Sequence, residues 1–218
     1  MKLKKPIIAS STDQSFLPLL PPSRTSGKSV MTALWKRKTD RTIGGKKISP
    51  QMLADLLWAA AGVNRKKGPF NGIGRTAATA SNSQEIDLYV ALPTGIYWYD
   101  AVSHSLVLAA AGDLRILAIG RGQGGGAQAP VRLIFVVDID KYLTAGFMEP
   151  GLKDPEIQKS YYYSGAGLMA GNVSLFAAAH GLAAWFHNCD RAGLAAKLPL
   201  RPSQRALFGQ TVGYAAKK

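Results

Sequence analysis

A dense cluster of basic residues near position 38 is the part of this sequence best suited to holding a ligand. Residues 36–41 contain the four cations Lys36, Arg37, Lys38 and Arg41, together with the hydroxyl group of Thr39. Guanidinium forks and ammonium groups bind dianions such as phosphate. Each hydrogen bond to a charged group contributes about 1.5–3 kcal/mol. The cluster therefore predicts a phosphate site, with a solvated charged surface as the alternative interpretation.

A second segment, residues 75–85, is small and polar and leads into a strand-like run that starts at Ile86. It carries the side-chain amides of Asn82 and Gln84, which can both donate and accept hydrogen bonds. A phosphate site combined with a small amide-bearing loop is what a protein needs to hold a flat, phosphorylated cofactor. These two segments must be positioned by the rest of the fold.

The basic charge of the chain is concentrated in its first third. The formal net charge is +14, and residues 1–75 carry 15 Lys and Arg against 3 Asp and Glu, an excess of 12. Such an excess is typical of proteins that bind nucleic acid, an anionic membrane surface or a phosphate-bearing ligand. Nucleic-acid binding usually adds stacking aromatic residues among the bases, and only Trp35 lies beside the densest cluster. Nucleic acid is therefore disfavoured, although a basic polyanion-binding protein stays open as a non-enzymatic alternative.

No catalytic group of the protein itself stands out. The single cysteine, Cys189, excludes an internal disulfide and is interpreted as a small buried side chain. The three histidines lie far apart, without metal-ligand spacing, and no paired carboxylates are evident. Residues 120–125 match the dinucleotide-binding glycine pattern, but a strand follows them instead of a helix, so a connecting loop is predicted. The absence of such groups agrees with chemistry borrowed from a cofactor.

Residues 160–189 contain no charged side chain, which raises the question of a membrane span. Polar residues and glycines within this stretch argue against a span. We predict instead a long helix that is buried in the core and at a subunit contact, and hence a homodimer. The basic start of the chain is followed by an apolar run too short for an export signal, which indicates a cytoplasmic protein.

The remaining patterns define the fold. Ser49-Pro50 and Gly62 bracket a helix, and a shorter helix is predicted over residues 26–36 with Val30, Ala33 and Leu34 on one face. Strands are predicted at residues 86–92, 96–99, 131–137 and 210–214. We expect an α+β fold with a central, mostly antiparallel sheet flanked by helices, formed as one domain by residues 27–218. Residues 1–26 are expected to form an extended N-terminal arm that lies on another surface.

Across about residues 27–216 the order and spacing of short motifs resembles the nitroreductase-like flavoproteins, which are FMN-dependent oxidoreductases that work as homodimers. The motifs that carry this resemblance are residues 37–41, 53–65, 75–76 with 82–85, 95–97 with 99–100, 112–115, 172–175 with 181–182, and 212–214. Two departures occur in the amide-bearing loop. Ala78-Thr79 stands where the family often has Pro-Ser, and Glu85 replaces a basic residue of the smaller nitroreductases.

The resemblance implies an FMN site at the subunit interface. Arg37, Lys38 and Thr39 would contact the phosphate and ribityl chain, and Arg41 would lie near the N1/O2 edge of the flavin. By the same resemblance, the other contacts would come from Asn82 and Gln84 of the partner-facing loop, from Trp185 and Phe186 beside the ring, and from Lys217 or Lys218 at the phosphate.

The implied activity is transfer of hydride from NAD(P)H through flavin N5 to an electron-poor acceptor such as a nitroaromatic or a quinone. Relatives on the same fold oxidise azoline rings in peptides or degrade flavin itself, so a flavin-dependent dehydrogenase of another substrate is the enzymatic alternative.

Overall fold

The computed structural model describes residues 15–123 and 128–216. Its centre is a sheet with the strand order β1-β6-β5-β4-β7-β9-β8, in which all neighbouring strands are antiparallel. The strands of this sheet are β1 (Phe16–Pro18), β4 (Ile86–Leu92), β5 (Gly95–Asp100), β6 (Ser105–Ala111), β7 (Val131–Asp138), β8 (Ala183–His187) and β9 (Gln204–Gly213). A separate ladder joins β2 (Val63–Arg65) and β3 (Gly74–Arg75). The helices are α1 (Val30–Lys36), α2 (Pro50–Ala61), α3 (Pro155–Ala179) and α4 (Arg191–Lys197).

The two faces of the sheet are covered by different helices. On one face, Leu56 of α2 and Met169 of α3 pack against alternate residues of the central strands, such as Leu88 and Phe135. On the other face, the cover comes from α4 and from a short 3-10 helix at Arg115–Ala118. Because both faces are covered, every residue of β7 is buried. The predicted α+β architecture with a mostly antiparallel sheet and flanking helices is confirmed.

Local sequence signals explain where the main helices begin and end. The Ser49 hydroxyl accepts a hydrogen bond from the N–H of Met52, Pro50 is the first helical residue, and Gly62 caps the end of α2, as predicted. Asp154 caps α3 by accepting from the N–H groups of Glu156 and Ile157. In the described part of the chain, no helix is long and apolar enough to cross a bilayer.

The uncharged stretch at residues 160–189 is not one helix, and that prediction was wrong for its last part. α3 ends at Ala179, and Gly181 then adopts φ +71°, a conformation that glycine takes without strain. The chain reverses there and continues as β8, which pairs with β9 at the edge of the sheet. Within one chain α3 is also buried on one face only. Its exposed stripe consists of Ser160, Tyr163, Ser164, Gly167, Leu168 and Gly171.

The first helix differs from its predicted packing. Of the three residues expected on its apolar face, only Ala33 is buried, whereas Val30 is 68% exposed and Leu34 is 50% exposed. Met31 and Trp35 are also exposed, so α1 presents four large apolar side chains to the surface of a single chain.

The described part of the N-terminal segment is extended and lies on the domain. β1 pairs with β6, and the N–H of Leu19 donates to the carbonyl of His104. Further along, Gln51 donates its side-chain amide to the carbonyl of Pro21, and the N–H of Ser23 donates to Asp55. These hydrogen bonds hold the described part of the arm against the domain, first along β6 and then at the start of α2.

Candidate functional site

The basic segment at residues 37–41 is held in place by its main chain. Arg37 caps α1 by donating its N–H to the carbonyl of Ala33. The N–H of Asp40 then donates to the carbonyl of Ala184 in β8 at 3.0 Å, and Ile43 forms an antiparallel bridge with Ala215. The segment is therefore fixed between the edge of the sheet and the C-terminal tail, while its side chains stay available.

The side chains of Arg37, Lys38, Thr39 and Arg41 are all exposed on a single chain. Lys38 is 76% exposed at its side chain and lies 3.8 Å from the carboxylate of Asp40, a distance typical of a weak surface ion pair. The same carboxylate accepts from the N–H of Thr42. The acid thus helps to shape the turn, and most of the positive charge of the segment is not neutralised by it.

Two further ammonium groups stand close together at the start and end of α1. The pKa of Lys36 is lowered by a hydrogen bond with the side chain of Lys28 and by the repulsion between the two charges. The two like charges add to the positive potential around residues 28–41, and such a potential attracts anions.

Arg41 and Trp185 are brought together, as a common site requires. The guanidinium carbon of Arg41 lies 5.6 Å from the centroid of the Trp185 ring, within the range of a cation–π contact. Trp185 is buried beside Ile43, and its ring lies 4.5 Å from that of His187. Arg41 is therefore positioned by the aromatic ring of Trp185 on β8.

Phe186 projects from the opposite face of the sheet. Successive side chains of a strand alternate between faces, and the Phe186 ring packs 4.8 Å from Phe208 and 5.9 Å from Phe135. The structure thus separates Trp185 from Phe186, although sequence reasoning had grouped them. Lys217 and Lys218 lie outside the described residues.

The loop that carries Asn82 and Gln84 uses both side-chain amides internally. Asn82 Nδ2 donates to the carbonyls of Pro69 at 3.3 Å and Ile73 at 3.0 Å. Gln84 Nε2 donates to Ile73 at 2.9 Å and to Asn82 Oδ1 at 3.2 Å. Both residues have φ of 53°, a left-handed conformation that costs energy in residues other than glycine. No hydrogen bond among the described residues joins this loop to the basic segment.

These amides hold a turn with an exposed aromatic pair that sequence reasoning missed. Phe70, at φ 55°, stacks on Phe147 with 5.5 Å between ring centroids and 16° between planes, and both rings are about half exposed. The only sequence signal was an aromatic residue within the glycine- and proline-rich run of residues 68–72. Its pairing with a distant loop could not be read from that run.

Glu85, one of the two departures from the family pattern, is enclosed in the protein interior. Its carboxyl is fully buried, Oε2 accepts from the Ser83 hydroxyl at 2.7 Å, and Oε1 has no hydrogen-bond partner among the described residues. A Cβ placed on Gly165 of α3 would lie 2.6 Å from that Oε1, so the glycine makes room for the carboxyl. Burial raises the pKa of Glu85, because the charged form is poorly solvated there.

This raised pKa gives a pH prediction for Glu85→Gln. At pH values between the pKa of Glu85 in the unfolded chain and its higher pKa in the native state, the native state holds a proton that the unfolded chain has released. The free energy of unfolding therefore falls as the pH rises towards and through the native-state pKa. We expect the free energy of unfolding of the wild type to fall from about pH 5 to about pH 8 by more than that of Glu85→Gln. Urea unfolding at both pH values measures the difference. The exposed Glu156→Gln serves as the control, and equal pH slopes in all three proteins would contradict the prediction.

The described part of the glycine-rich loop and Cys189 have structural contacts and show no sign of a catalytic role. Gly120 donates its N–H to the carbonyl of Asn188, and residues 124–127 lie outside the described residues. Cys189 is buried, and burial raises the pKa of its thiol to about 11, as expected for an unreactive side chain. Among the described residues, no group of three or more His, Cys, Asp or Glu side chains could hold a metal ion.

Comparison with known proteins identifies the family of the chain. The family model for the nitroreductase family matches residues 34–214. A solved candidate nitroreductase from Ralstonia eutropha JMP134 is 34% identical over 100% of this chain and 97% of its own, with a TM-score of 0.79. The chain therefore belongs to the nitroreductase family. Membership of this family supports a flavin-dependent oxidoreductase in general terms.

More distant structures share the fold. An FMN-dependent nitroreductase from Clostridium difficile R20291 is 15% identical, with 86% of this chain and 88% of that chain covered and a TM-score of 0.55. The Escherichia coli microcin synthetase McbBCD, solved with truncated pro-MccB17 bound, is 15% identical, with coverage of 100% and 79% and a TM-score of 0.68. Among curated proteins, none is significantly similar to the chain.

Proposed function

We propose that the protein is an FMN-dependent oxidoreductase that takes hydride from NAD(P)H and reduces an electron-poor acceptor such as a nitroaromatic or a quinone. Bound FMN would supply the hydride-transfer chemistry at its N5 atom. The observation that carries the proposal is the exposed basic segment, which main-chain bonds fix against β8 and the C-terminal tail. The catalytic unit would be residues 27–218, and a cytoplasmic location stays a prediction.

The donor set of the segment fits a flavin phosphate. Arg37 and Lys38 are exposed and only weakly neutralised, and the Thr39 hydroxyl adds a neutral donor. A phosphate dianion would also reduce the repulsion between Lys28 and Lys36. Because the backbone is already anchored, little of the binding free energy would be lost in ordering the segment.

Arg41 would act on the ring system and not on the phosphate. Its guanidinium is held over Trp185 and has no carboxylate partner within the described part of the chain, so its charge is available to a neighbouring group. A fixed cation beside an electron-rich ring stabilises negative charge there. This role follows the expectation that Arg41 lies at the N1/O2 edge.

Asn82 would offer an acceptor to a flavin held with the partner subunit. Its two amide hydrogens are used by Pro69 and Ile73, whereas Oδ1 accepts one bond from Gln84 and has a second lone pair. Gln84 would then position Asn82. We propose that the Phe70–Phe147 pair, which this loop supports, forms an apolar wall beside the acceptor.

A second copy of the chain would complete the site. α1 exposes Val30, Met31, Leu34 and Trp35, and the stripe on α3 exposes Leu168 between Gly167 and Gly171, which have open space around them. Large exposed apolar surfaces with small residues that permit close helix approach are typical of subunit interfaces. Because α1 packs against α3, the two surfaces are carried by neighbouring helices.

Leu168→Glu is expected to convert the dimer into a monomer, because a charge would be buried in the apolar centre of the interface. The mass in solution, measured by light scattering after size exclusion, tests this. The matched control is Val102→Glu, which changes a similarly exposed apolar residue in a turn far from α3 along the chain. Dimers of equal stability in both variants would rule out this surface as the interface.

The proposed activity is tested by the absorbance spectrum of the purified protein before and after anaerobic addition of NADPH or NADH. We expect a flavin spectrum that is bleached by the donor and restored by a nitroaromatic or a quinone. A protein that is colourless, and stays so after addition of FMN, would contradict the proposal.

The second candidate is a flavin-dependent dehydrogenase of a peptide azoline. It is suggested by the microcin synthetase structure, which shares the fold over the whole chain and was solved with a peptide bound. The two candidates differ in the molecule that reduces the flavin, which is NAD(P)H in the first and the azoline ring of a peptide in the second. A flavin that is not reduced by NADH or NADPH, but is reduced by an azoline peptide, would favour the second.

A further inference from the structure

His187 packs against the Trp185 ring that supports Arg41. Alternate side chains of a strand point to the same face of a sheet, so Trp185 and His187 both project from one face of β8. Their ring centroids are 4.5 Å apart with 57° between the planes, and both residues are buried. The three side chains therefore form a row that leads from the exposed Arg41 into the protein interior.

The orientation of the imidazole is fixed by hydrogen bonds at both of its nitrogens. Nδ1 lies 2.8 Å from the carbonyl oxygen of Asn188, which can only accept, so Nδ1 carries the proton. Nε2 lies 2.8 Å from the hydroxyl of Thr211, which then donates to it in the neutral ring. Thr211 is fully buried on β9 and is the ladder partner of Trp185. One tautomer and one ring orientation satisfy all of these groups.

Two glycines complete this arrangement. Gly209 pairs with His187 in the ladder of β8 and β9, and a Cβ placed on it would lie 2.8 Å from Cε1 of the imidazole. A larger residue at that position would displace the ring. The N–H of Gly120 donates to the same Asn188 carbonyl at 2.8 Å. The first residue of the glycine-rich loop therefore helps to fix the acceptor that holds His187.

His187 is held in its neutral form. Burial lowers the pKa of the imidazole more than the hydrogen bond to Asn188 raises it, and the charge of Arg132 lowers the pKa further. Because a neutral ring carries no charge to place over the indole, it does not compete with Arg41 for the face of Trp185. A rigid, uncharged ring at this place is suited to hold the indole in position for another cation.

We propose that His187 is a positioning residue of the flavin site, which holds the Arg41 guanidinium in place through the Trp185 ring. This inference rests on the proposed function, in which Arg41 stabilises negative charge on the flavin ring. Without the imidazole, Trp185 would be free to turn and Arg41 would lose its fixed support. A cation that must first be reoriented stabilises negative charge less well than one already held in place. The phosphate contacts of Arg37 and Lys38 would not change, so the loss would fall on reduced FMN.

The midpoint potential of bound FMN tests the proposal, because it compares the affinities of the protein for reduced and oxidised flavin. We expect His187→Asn to weaken the binding of reduced FMN about tenfold more than the binding of oxidised FMN. For a two-electron couple this corresponds to a fall of about 30 mV in the potential. Thr211→Val, which removes only the hydroxyl that orients the imidazole, should lower the potential by a smaller amount.

His104→Asn is the matched control for these variants. His104 lies in the turn between β5 and β6, which β4, β7 and β9 separate from β8, and its two ring nitrogens also have hydrogen-bond partners. Its replacement should leave the potential unchanged. Circular dichroism follows the fold of each variant, and Thr211→Val carries the test if His187→Asn does not fold.

A double-variant cycle with Arg41→Gln separates action through Arg41 from a general loss of packing. His187→Asn should lower the potential in the wild type and have no further effect in Arg41→Gln. Equal shifts in both backgrounds would overturn the inference. Bound flavin with an unaltered potential in the folded His187→Asn and Thr211→Val proteins would overturn this inference alone. A wild type that binds no FMN would overturn the proposed function, and this inference with it.

Discussion

Replacement of Arg37 and Lys38 by alanine is expected to release FMN from the protein without unfolding it. Two charged contacts of about 1.5 kcal/mol or more each correspond to a loss of at least about 100-fold in FMN affinity. The fold should persist because both side chains are exposed and only Lys38 contacts an acid. Fluorescence titration of the flavin-free protein with FMN measures the affinity, and circular dichroism follows the fold.

Lys47→Ala is the matched control for this experiment. Lys47 is an exposed cation in the same basic third of the chain, so its removal reduces the general attraction for anions by one charge. A specific site predicts a loss confined to the Arg37/Lys38 variant. Comparable small losses in both proteins would show that the segment attracts FMN only through diffuse charge, and the assignment of Arg37 and Lys38 would fail.

Lys141→Met is expected to destabilise the fold strongly, since it leaves a buried carboxylate without its cation. Lys141 Nζ donates to Asp87 Oδ1 at 2.6 Å and to the carbonyl of Gln84 at 3.0 Å, and both ionic side chains are largely buried. Removing one partner of a buried pair costs about 3–5 kcal/mol. For a chain of this size the corresponding fall in melting temperature is about 10 °C. Thermal unfolding followed by circular dichroism tests this.

The double variant Asp87→Asn/Lys141→Met distinguishes loss of charge pairing from loss of packing. The amide introduced at position 87 would bury no net charge and would still accept from the indole N–H of Trp98, although it would lose the bond that Gln204 Nε2 donates to Asp87 Oδ2. We therefore expect the double variant to regain part of the lost stability, with a coupling free energy of about 1–3 kcal/mol. A double variant that is as unstable as Lys141→Met would mean that the lysine acts through packing alone.

The elements that were predicted correctly from the sequence are those determined by residues close to one another along the chain. Ser49, Pro50 and Gly62 bound α2 as expected, and the hairpin of β4 and β5 follows from its Pro93-Thr94-Gly95 turn. β8 was hidden because its residues are as apolar as α3 before them. Gly181 was the signal for a break, and only its φ of +71° shows that the chain reverses there.

The sequence was sufficient to predict which charged residues form the candidate site, but it did not show which residues they contact. The composition of residues 36–41 indicated an anion site, but the pairing of Arg41 with Trp185 depends on how the segment lies along β8. Likewise, Asn82 and Gln84 could be selected as amides, but the carbonyls they bind belong to a turn about ten residues earlier. That turn is shaped by left-handed residues, whose conformation leaves little trace in composition.

Both borders of the sheet are closed by residues from the first fifth of the chain. β1 covers β6 on one side, and residues 40–44 bond to Ala184 and to the tail at 214–216 on the other. During synthesis residues 40–44 leave the ribosome long before these partners, which lie far along the chain. Such long-range closure slows folding, so a nascent chain stalled before residue 184 would display an unprotected border and depend on chaperones to stay unaggregated.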